Sequence, residues 1–354
     1  MKPVVVMLSI NLALAGVNIL LKEILNEGIS QLLIVVYRQT ISSLFLLPIA
    51  YFWERKTRPQ LTAYILFLLF ISSLLGLTLT LYLFLIGLHF TSATFSCAFL
   101  NLVPVNTFIL AVLFRMEKVN MKSKGGIAKV VGTLVCISGN LLLILYKGTP
   151  LTSPGSTNGK TNGGRATVEA YTQGKWLIGS LVLTGGCFMW SSWFLMQTRV
   201  GRVYPCQYSS TCIMSFFSAL QSAVLHLIID RKNSLFIVKG KFAILSLIYA
   251  GSVGSGLCYV GMSWCVKQKG PVFTAAFTPF MEIFAAIFDF FILHEQIHLG
   301  SVVGSVLIIS GMYILLWGKD KEAKECVVKQ TISIEEAYHK SNIPSTNTDA
   351  LEQI

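Results

Sequence analysis

The chain has 354 residues, of which 54% are hydrophobic and only 12% charged. Soluble domains carry roughly 25% charged residues, so this composition excludes a water-covered globule, and a mean hydropathy of +0.67 makes lipid the natural solvent. The formal net charge of +12 sits in short clusters between apolar runs, not along one basic face, which argues against a nucleic-acid partner.

A helix that crosses a bilayer needs about 20 apolar residues, because the hydrocarbon core is about 30 Å thick and the segment must satisfy its own backbone polar groups. In chain order the apolar runs are 4–21, 32–53, 61–88, 93–114, 127–146, 176–198, 204–229, 242–266, 272–293 and 299–317. The first lacks a small-residue cleavage site and reads as a span, not a removable signal. The third is long and is expected to bend near Gly76. Residues 148–175 are rich in Gly, Ser, Thr and Asn and read as a flexible linker; 319–354 read as a disordered tail. The division is therefore 1–147, a first five-helix repeat, and 176–318, a second, with the linker between them and the tail after.

Cations set topology, because Lys and Arg in short loops favour the cytoplasm. With the N-terminus inside, cytoplasmic loops hold Arg55, Lys56 and Arg58; Arg115, Lys118, Lys122 and Lys124; Arg199 and Arg202; Lys267 and Lys269. The cluster from Arg231 to Lys241 opposes this, but the balance places both termini in the cytoplasm. Eight cysteines with no CxxC, six of them inside apolar runs, read as small apolar fillers rather than a disulfide or metal framework.

Residues 129–148 (KVVGTLVCISGNLLLILYKG) and 301–320 (SVVGSVLIISGMYILLWGKD) repeat. Val130, Val131, Gly132, Ser138, Gly139 and Lys147 match Val302, Val303, Gly304, Ser310, Gly311 and Lys319 at a constant offset of 172. Pro104 and Pro279 fall in the spans just before, and each of those spans ends in a loop with a glutamate, Glu117 or Glu295. An odd number of spans per half reverses the second half. The expected fold is an all-α membrane protein of ten transmembrane helices in two inverted five-helix repeats, an architecture of secondary transporters with solute bound between the repeats.

These features resemble the EamA-type drug/metabolite transporter superfamily. Within it the chain is similar to the plant nodulin-like, Walls-Are-Thin-related group, also called usually-multiple-acids-move-in-and-out transporters. The resemblance rests on AGVNILLKEILNEGIS (15–30), VVYRQTISSLFLLPIAYFWERKTRP (35–59), FSCAFLNLVPVNTFILAVLFRMEKV (95–119), KQKGPVFTAAFTPF (267–280) and LHEQIHLGSVVGSVLIISGMYILLWGK (293–319). It implies a facilitator or exporter of small organic solutes, with amino acids foremost and auxin or other metabolites behind, and it favours the plasma membrane over tonoplast or plastid envelope. One departure is Asn11, where the group often has glutamine.

The candidate cavity residues are polar groups that lipid would penalise. Glu282 and Asp289 lie seven apart in the ninth span and share a helix face. Glu282 contacts a solute ammonium or couples protons, or is a buried acid with a packing role. Pro104 and Pro279 free backbone carbonyls, and Asn101 and Asn106 flank the first of them. Asn11 and Asn18 mark one face of the first span. Arg38 lies about two turns into the second span, where it attracts a solute carboxylate, pairs with an acid such as Glu23, or snorkels. Trp190 and Trp193 form a cavity wall or simple packing. Gly300, Gly304 and Gly311, with Gly132 and Gly139, let helices approach closely, bracing the bundle or forming a homodimer contact.

His294-Glu295-Gln296-Ile297-His298 matches HExxH, which on a continuous helix would hold zinc and supply a base. An intramembrane zinc metalloprotease is thus an alternative of another class, and a non-transporting scaffold a third. The motif falls at a junction of spans, and its repeat counterpart, Arg115-Met116-Glu117-Lys118-Val119, lacks both histidines. Only Asp289 offers itself as a third ligand. No phosphate-binding loop is present, and no cofactor, metal or enzymatic activity is expected. The partners are a small organic solute and membrane lipid.

Overall fold

The computed structural model describes residues 2–91, 96, 99–115, 123–145, 165–229, 240–288, 302–318 and 321, except the side chains at 140, 143–145, 165–175, 279, 282 and 286. Among the described residues the ordered elements are helices and no strand occurs. They are α1 (Lys2–Asn26), α2 (Gln31–Glu54), α3 (Ala63–Phe90), α4 (Leu102–Leu113), α5 (Lys124–Leu145) and α6 (Arg165–Val203). There follow α7 (Gln207–Ile229), α8 (Lys241–Lys269), the short α9 (Pro271–Ala275), α10 (Thr278–Phe288) and α11 (Val302–Gly318). Six of these, α1, α2, α3, α6, α7 and α8, are long and apolar enough to cross a membrane. Helix α6 starts at Arg165, inside the segment read as linker.

Exposed large apolar side chains such as Leu44, Leu47, Leu134, Leu181 and Leu245 ring the bundle, as a lipid-facing surface requires. Its interior holds an unusual share of small polar side chains. Ser42 on α2 meets Ser215 on α7 at 3.0 Å, and Thr78 on α3 donates to Gln221 Oε1 at 2.7 Å and meets the Ser218 hydroxyl at 2.9 Å. Such contacts hold helices together where lipid supplies no hydrophobic drive between them. At one end, both Glu54 oxygens cap α7, accepting from the Tyr208 amide at 3.0 Å and the Ser209 amide at 2.7 Å. Those amides belong to the first turn, which lacks intrahelical acceptors.

The packing has an internal order. Helix α2 lies along α7; α3 packs on α6 as α1 packs on α8; α4 packs on α6 as α10 packs on α1; α2 meets α8 as α7 meets α3. Exchanging each first-half helix for its second-half counterpart maps these pairs onto one another. Helices α5 and α11 make the self-matched pair. A Cβ on Gly132 would fall 2.5 Å from the Gly311 carbonyl oxygen, and one on Gly139 would fall 3.0 Å from that of Gly304. The numbering runs in opposite directions, so the two helices are antiparallel. Cys136, 172 positions before Ile308, donates to the Ile308 carbonyl at 3.3 Å, midway between the two glycine contacts. The glycine faces are therefore filled by each other within one chain, which leaves no room on them for a second copy.

Helices α3 and α8 each widen into a π-helical turn, at Leu74–Leu79 and Ala250–Leu257. The bend expected at Gly76 is the first of these. Its cause is visible: Trp193 of α6 presses against Gly76, where a Cβ would lie 2.0 Å from Trp193 Cδ1. Both prolines read as mid-span kinks instead lie in the first turn of a helix. Pro104 is third in α4, and Pro279 is second in α10 after a break at residues 276–277. A proline there forfeits no hydrogen bond, because first-turn amides have no intrahelical partner.

Overpacking a close contact costs about 1–3 kcal/mol. Gly132→Val and Gly311→Val are expected to lower the melting temperature of the detergent-purified protein, whereas Gly201→Ala, with nothing within 4 Å, leaves it unchanged. Gly76→Ala is expected to lower it as well and to shift tryptophan emission, since Trp193 must move.

Candidate functional site

Where the broken helices meet α1, α2, α3, α6 and α8, the bundle encloses a cavity of about 640 Å³, open side included. Helix α1 contributes Met7, Asn11, Leu14 and Asn18, and α2 contributes Arg38. Helix α3 adds Thr80, Leu81 and Phe84 just past its π-turn, and Leu100 comes from the approach to α4. Trp190 and Phe194 of α6 face Tyr259 and Met262 of α8. Thr274, Thr278 and Met281 line the wall on either side of the α9–α10 break.

Among the described lining residues the charged one is Arg38, which is only 4% exposed. Its Nε donates to Ser255 Oγ at 2.6 Å, and the Gln39 amide reaches the same hydroxyl at 3.3 Å. Ser255 belongs to the π-turn of α8, and Gly254 beside it leaves the space that the guanidinium uses: a Cβ there would fall 3.2 Å from Arg38 Nη2. Among the described residues no carboxylate pairs with Arg38, so neither the pairing with Glu23 nor snorkelling to the surface occurs. A fixed guanidinium with free N–H groups is a two-pronged donor for a carboxylate.

Part of the wall is aromatic. Trp190, Trp193, Phe194 and Tyr259 form one cluster, with ring centroids 5.2–5.8 Å apart. The Tyr259 hydroxyl is buried with no hydrogen-bond partner. Asn11, which also lines the cavity, donates to the Met7 carbonyl at 2.8 Å, which fixes its amide.

Of the residues singled out from sequence, Asn11, Asn18, Arg38 and Trp190 line this cavity. Asn101, Pro104 and Asn106 are buried at the start of α4 but are not among its lining residues; the Asn106 Nδ2 is buried without a partner. The backbone of Pro279 and Glu282 lies in α10, which lines the cavity through Thr278 and Met281, while their side chains fall outside the described residues. Asp289, His294, Glu295 and His298 also lie outside them. Among the described residues no group of histidine, cysteine or acid side chains is placed to hold a metal. Sequence reading missed Thr80, Tyr259, Thr274 and Thr278. The signal available was Thr274 and Thr278, one turn apart and just before Pro279.

Comparison with known proteins fits this geometry. The chain matches the EamA-like transporter family over residues 1–144 and 177–317. It is 52% identical over 93% of its length to one WAT1-related protein of Arabidopsis thaliana, covering 90% of that protein, and 50% identical over 91% to another, covering 88%. It is 34% identical to Protein WALLS ARE THIN 1 of Arabidopsis thaliana, over 95% of this chain and 87% of that one. A solved crystal structure with 14% sequence identity shares the fold at a TM-score of 0.55, over 87% of this chain and 98% of that chain. The chain is an integral, multi-pass membrane transporter of small solutes and belongs to the EamA-like transporter family, among the WAT1-related proteins.

Proposed function

We propose that the chain carries small amphoteric organic acids, amino acids foremost, by alternating access between two inverted halves. The observation that carries this reading is Arg38: a buried cation with no carboxylate partner among the described residues, lining the central cavity. A charge at the centre of a membrane helix costs about 3 kcal/mol even on lenient scales, so a bundle that keeps one uses it. The solute carboxylate completes the guanidinium. The solute ammonium meets the aromatic wall of Trp190, Phe194 and Tyr259, where a cation over a ring gains about 0.5–2 kcal/mol. An aromatic carboxylic acid of the auxin kind is the second reading, favoured by that same wall, against which a ring would stack.

The exchange of packing partners between halves and the antiparallel α5–α11 pair support the inverted repeat. In this reading residues 1–147 and 176–318 are the two moving units, joined through 148–175 and followed by a tail at 319–354. The cation-rich loops place both termini in the cytoplasm, and the relatives' source favours a plant plasma membrane. Glu282, on the cavity-lining helix α10, is the proposed proton-coupling group, with Asn101, Asn106, Pro104, Pro279 and Asp289 as supporting elements of the same helices.

A hydrogen bond to a charged group is worth about 1.5–3 kcal/mol, or roughly 10- to 100-fold. In liposomes, Arg38→Ala is expected to cut amino-acid flux by that factor while Arg38→Lys keeps part of it; equal flux in all three removes Arg38 from the site. Glu282→Gln is expected to make flux insensitive to a pH gradient that stimulates the wild type, and an unchanged response assigns coupling elsewhere.

A further inference from the structure

A second pocket lies along the same helices as the central cavity, about one helical turn further on. Helix α6 lines the cavity with Trp190 and Phe194 and the pocket with Gln197, Thr198 and Gly201. Helix α8 lines the cavity with Tyr259 and Met262 and the pocket with Val266 and Lys267. Beyond them Gly270 and Pro271 belong to the pocket, Thr274 and Thr278 to the cavity. The pocket measures about 770 Å³, open side included, and Arg202 and Lys267 give it two cations.

Along α6 and α8, a polar contact falls where the residues that line the cavity give way to those that line the pocket. Gln197 Nε2 donates to Ser263 Oγ at 2.8 Å. Both residues are 3% exposed, and Gln197 Oε1 is buried with no partner. Half of the carboxamide is thus unsatisfied, and a buried acceptor left unpaired costs about 1–3 kcal/mol. A contact of this kind is easily exchanged for one that satisfies both ends.

We propose that the pocket is a second solute-binding station on the same path, and that Gln197 and Ser263 form the closed gate between it and the central cavity. The inference rests on the transport reading above. Arg202 and Lys267 take the solute carboxylate, and the free Gln197 oxygen takes its ammonium N–H as the Ser263 contact opens. The pocket thereby repeats the chemistry of the central site: cation for carboxylate, neutral acceptor for amine. It lies at the end of the bundle where α4, α6 and α8 finish, which the cation-rich loops make the cytoplasmic end. In this structure the gate is shut.

The test is a reversible lock in the full-length protein in liposomes. Gln197→Cys with Ser263→Cys is bridged by the shortest bis-methanethiosulfonate, and amino-acid flux is measured before bridging, after it, and after dithiothreitol. The expected result is a loss of more than about nine-tenths of flux on bridging, full recovery on reduction, and no loss in either single-cysteine variant. Recovery in the same molecules separates a lock from misfolding. Alongside it, Arg202→Ala with Lys267→Ala is expected to raise the half-saturating solute concentration at that face about 10-fold with the maximal rate kept. Bridged protein that transports at the unbridged rate, or an unchanged half-saturation in the double alanine variant, overturns the proposal while leaving the central site standing. A wild-type chain that moves none of the amino acids removes the transport reading, and this inference with it.

Discussion

A guanidinium held inside an apolar bundle is the constraint around which the rest of this structure is arranged. Lipid does not solvate it, so the protein must supply polar contacts and a cavity. Ser255 accepts from Arg38 at 2.6 Å. That hydroxyl is in place because α8 widens into a π-turn there, and a Gly at 254 leaves the side chain its space. The matching π-turn in α3 yields to Trp193, which sets the depth of the aromatic wall. Two local departures from α-helix thus adjoin one cavity, through Trp193 packed on Gly76 and through Ser255 bonded to Arg38. π-Turns recur at functional sites because they re-aim side chains without breaking the helix.

The bundle tolerates this irregular centre because its periphery is tightly tied. Helices α5 and α11 approach until backbone meets backbone across Gly132 and Gly311. Helices α2 and α7 are joined by the Ser42–Ser215 pair, by Ser43 against Cys212 and by the Glu54 cap at one end. These two pairs are the ones that map onto themselves when the halves are exchanged. In the alternating-access cycle proposed above, these pairs are the proposed pivot, and the contacts between α1, α3, α6 and α8 are the ones proposed to change.

The helical class, the positions of six apolar spans and the glycine repeat were legible in the residues, because lipid admits few backbone solutions and the repeat is written in matching letters. Arg38, Asn11 and Trp190 were legible because polar or aromatic groups within apolar runs stand out. The rest was hidden for physical reasons. Tyr259, Thr80, Thr274 and Thr278 are unremarkable as letters and become site residues only through the π-turns and the break before Pro279. Asn101 and Asn106, equally conspicuous in sequence, are buried at a helix start instead. The prolines announced a break correctly in kind but not in place, since each begins a helix rather than bending one. Residues 165–175 read as linker by composition yet continue α6, where propensity yields to the adjoining span.

If a carboxylate completing Arg38 is what admits a solute, the solute must carry one. The most direct measurement compares liposome flux of a labelled amino acid with that of its neutral-headed amide, which keeps the side chain and the amine and lacks only the carboxylate. The account predicts that the acid moves and the amide does not, by a factor of at least about 10. Equal flux of the two, or flux of the amide alone, would contradict it.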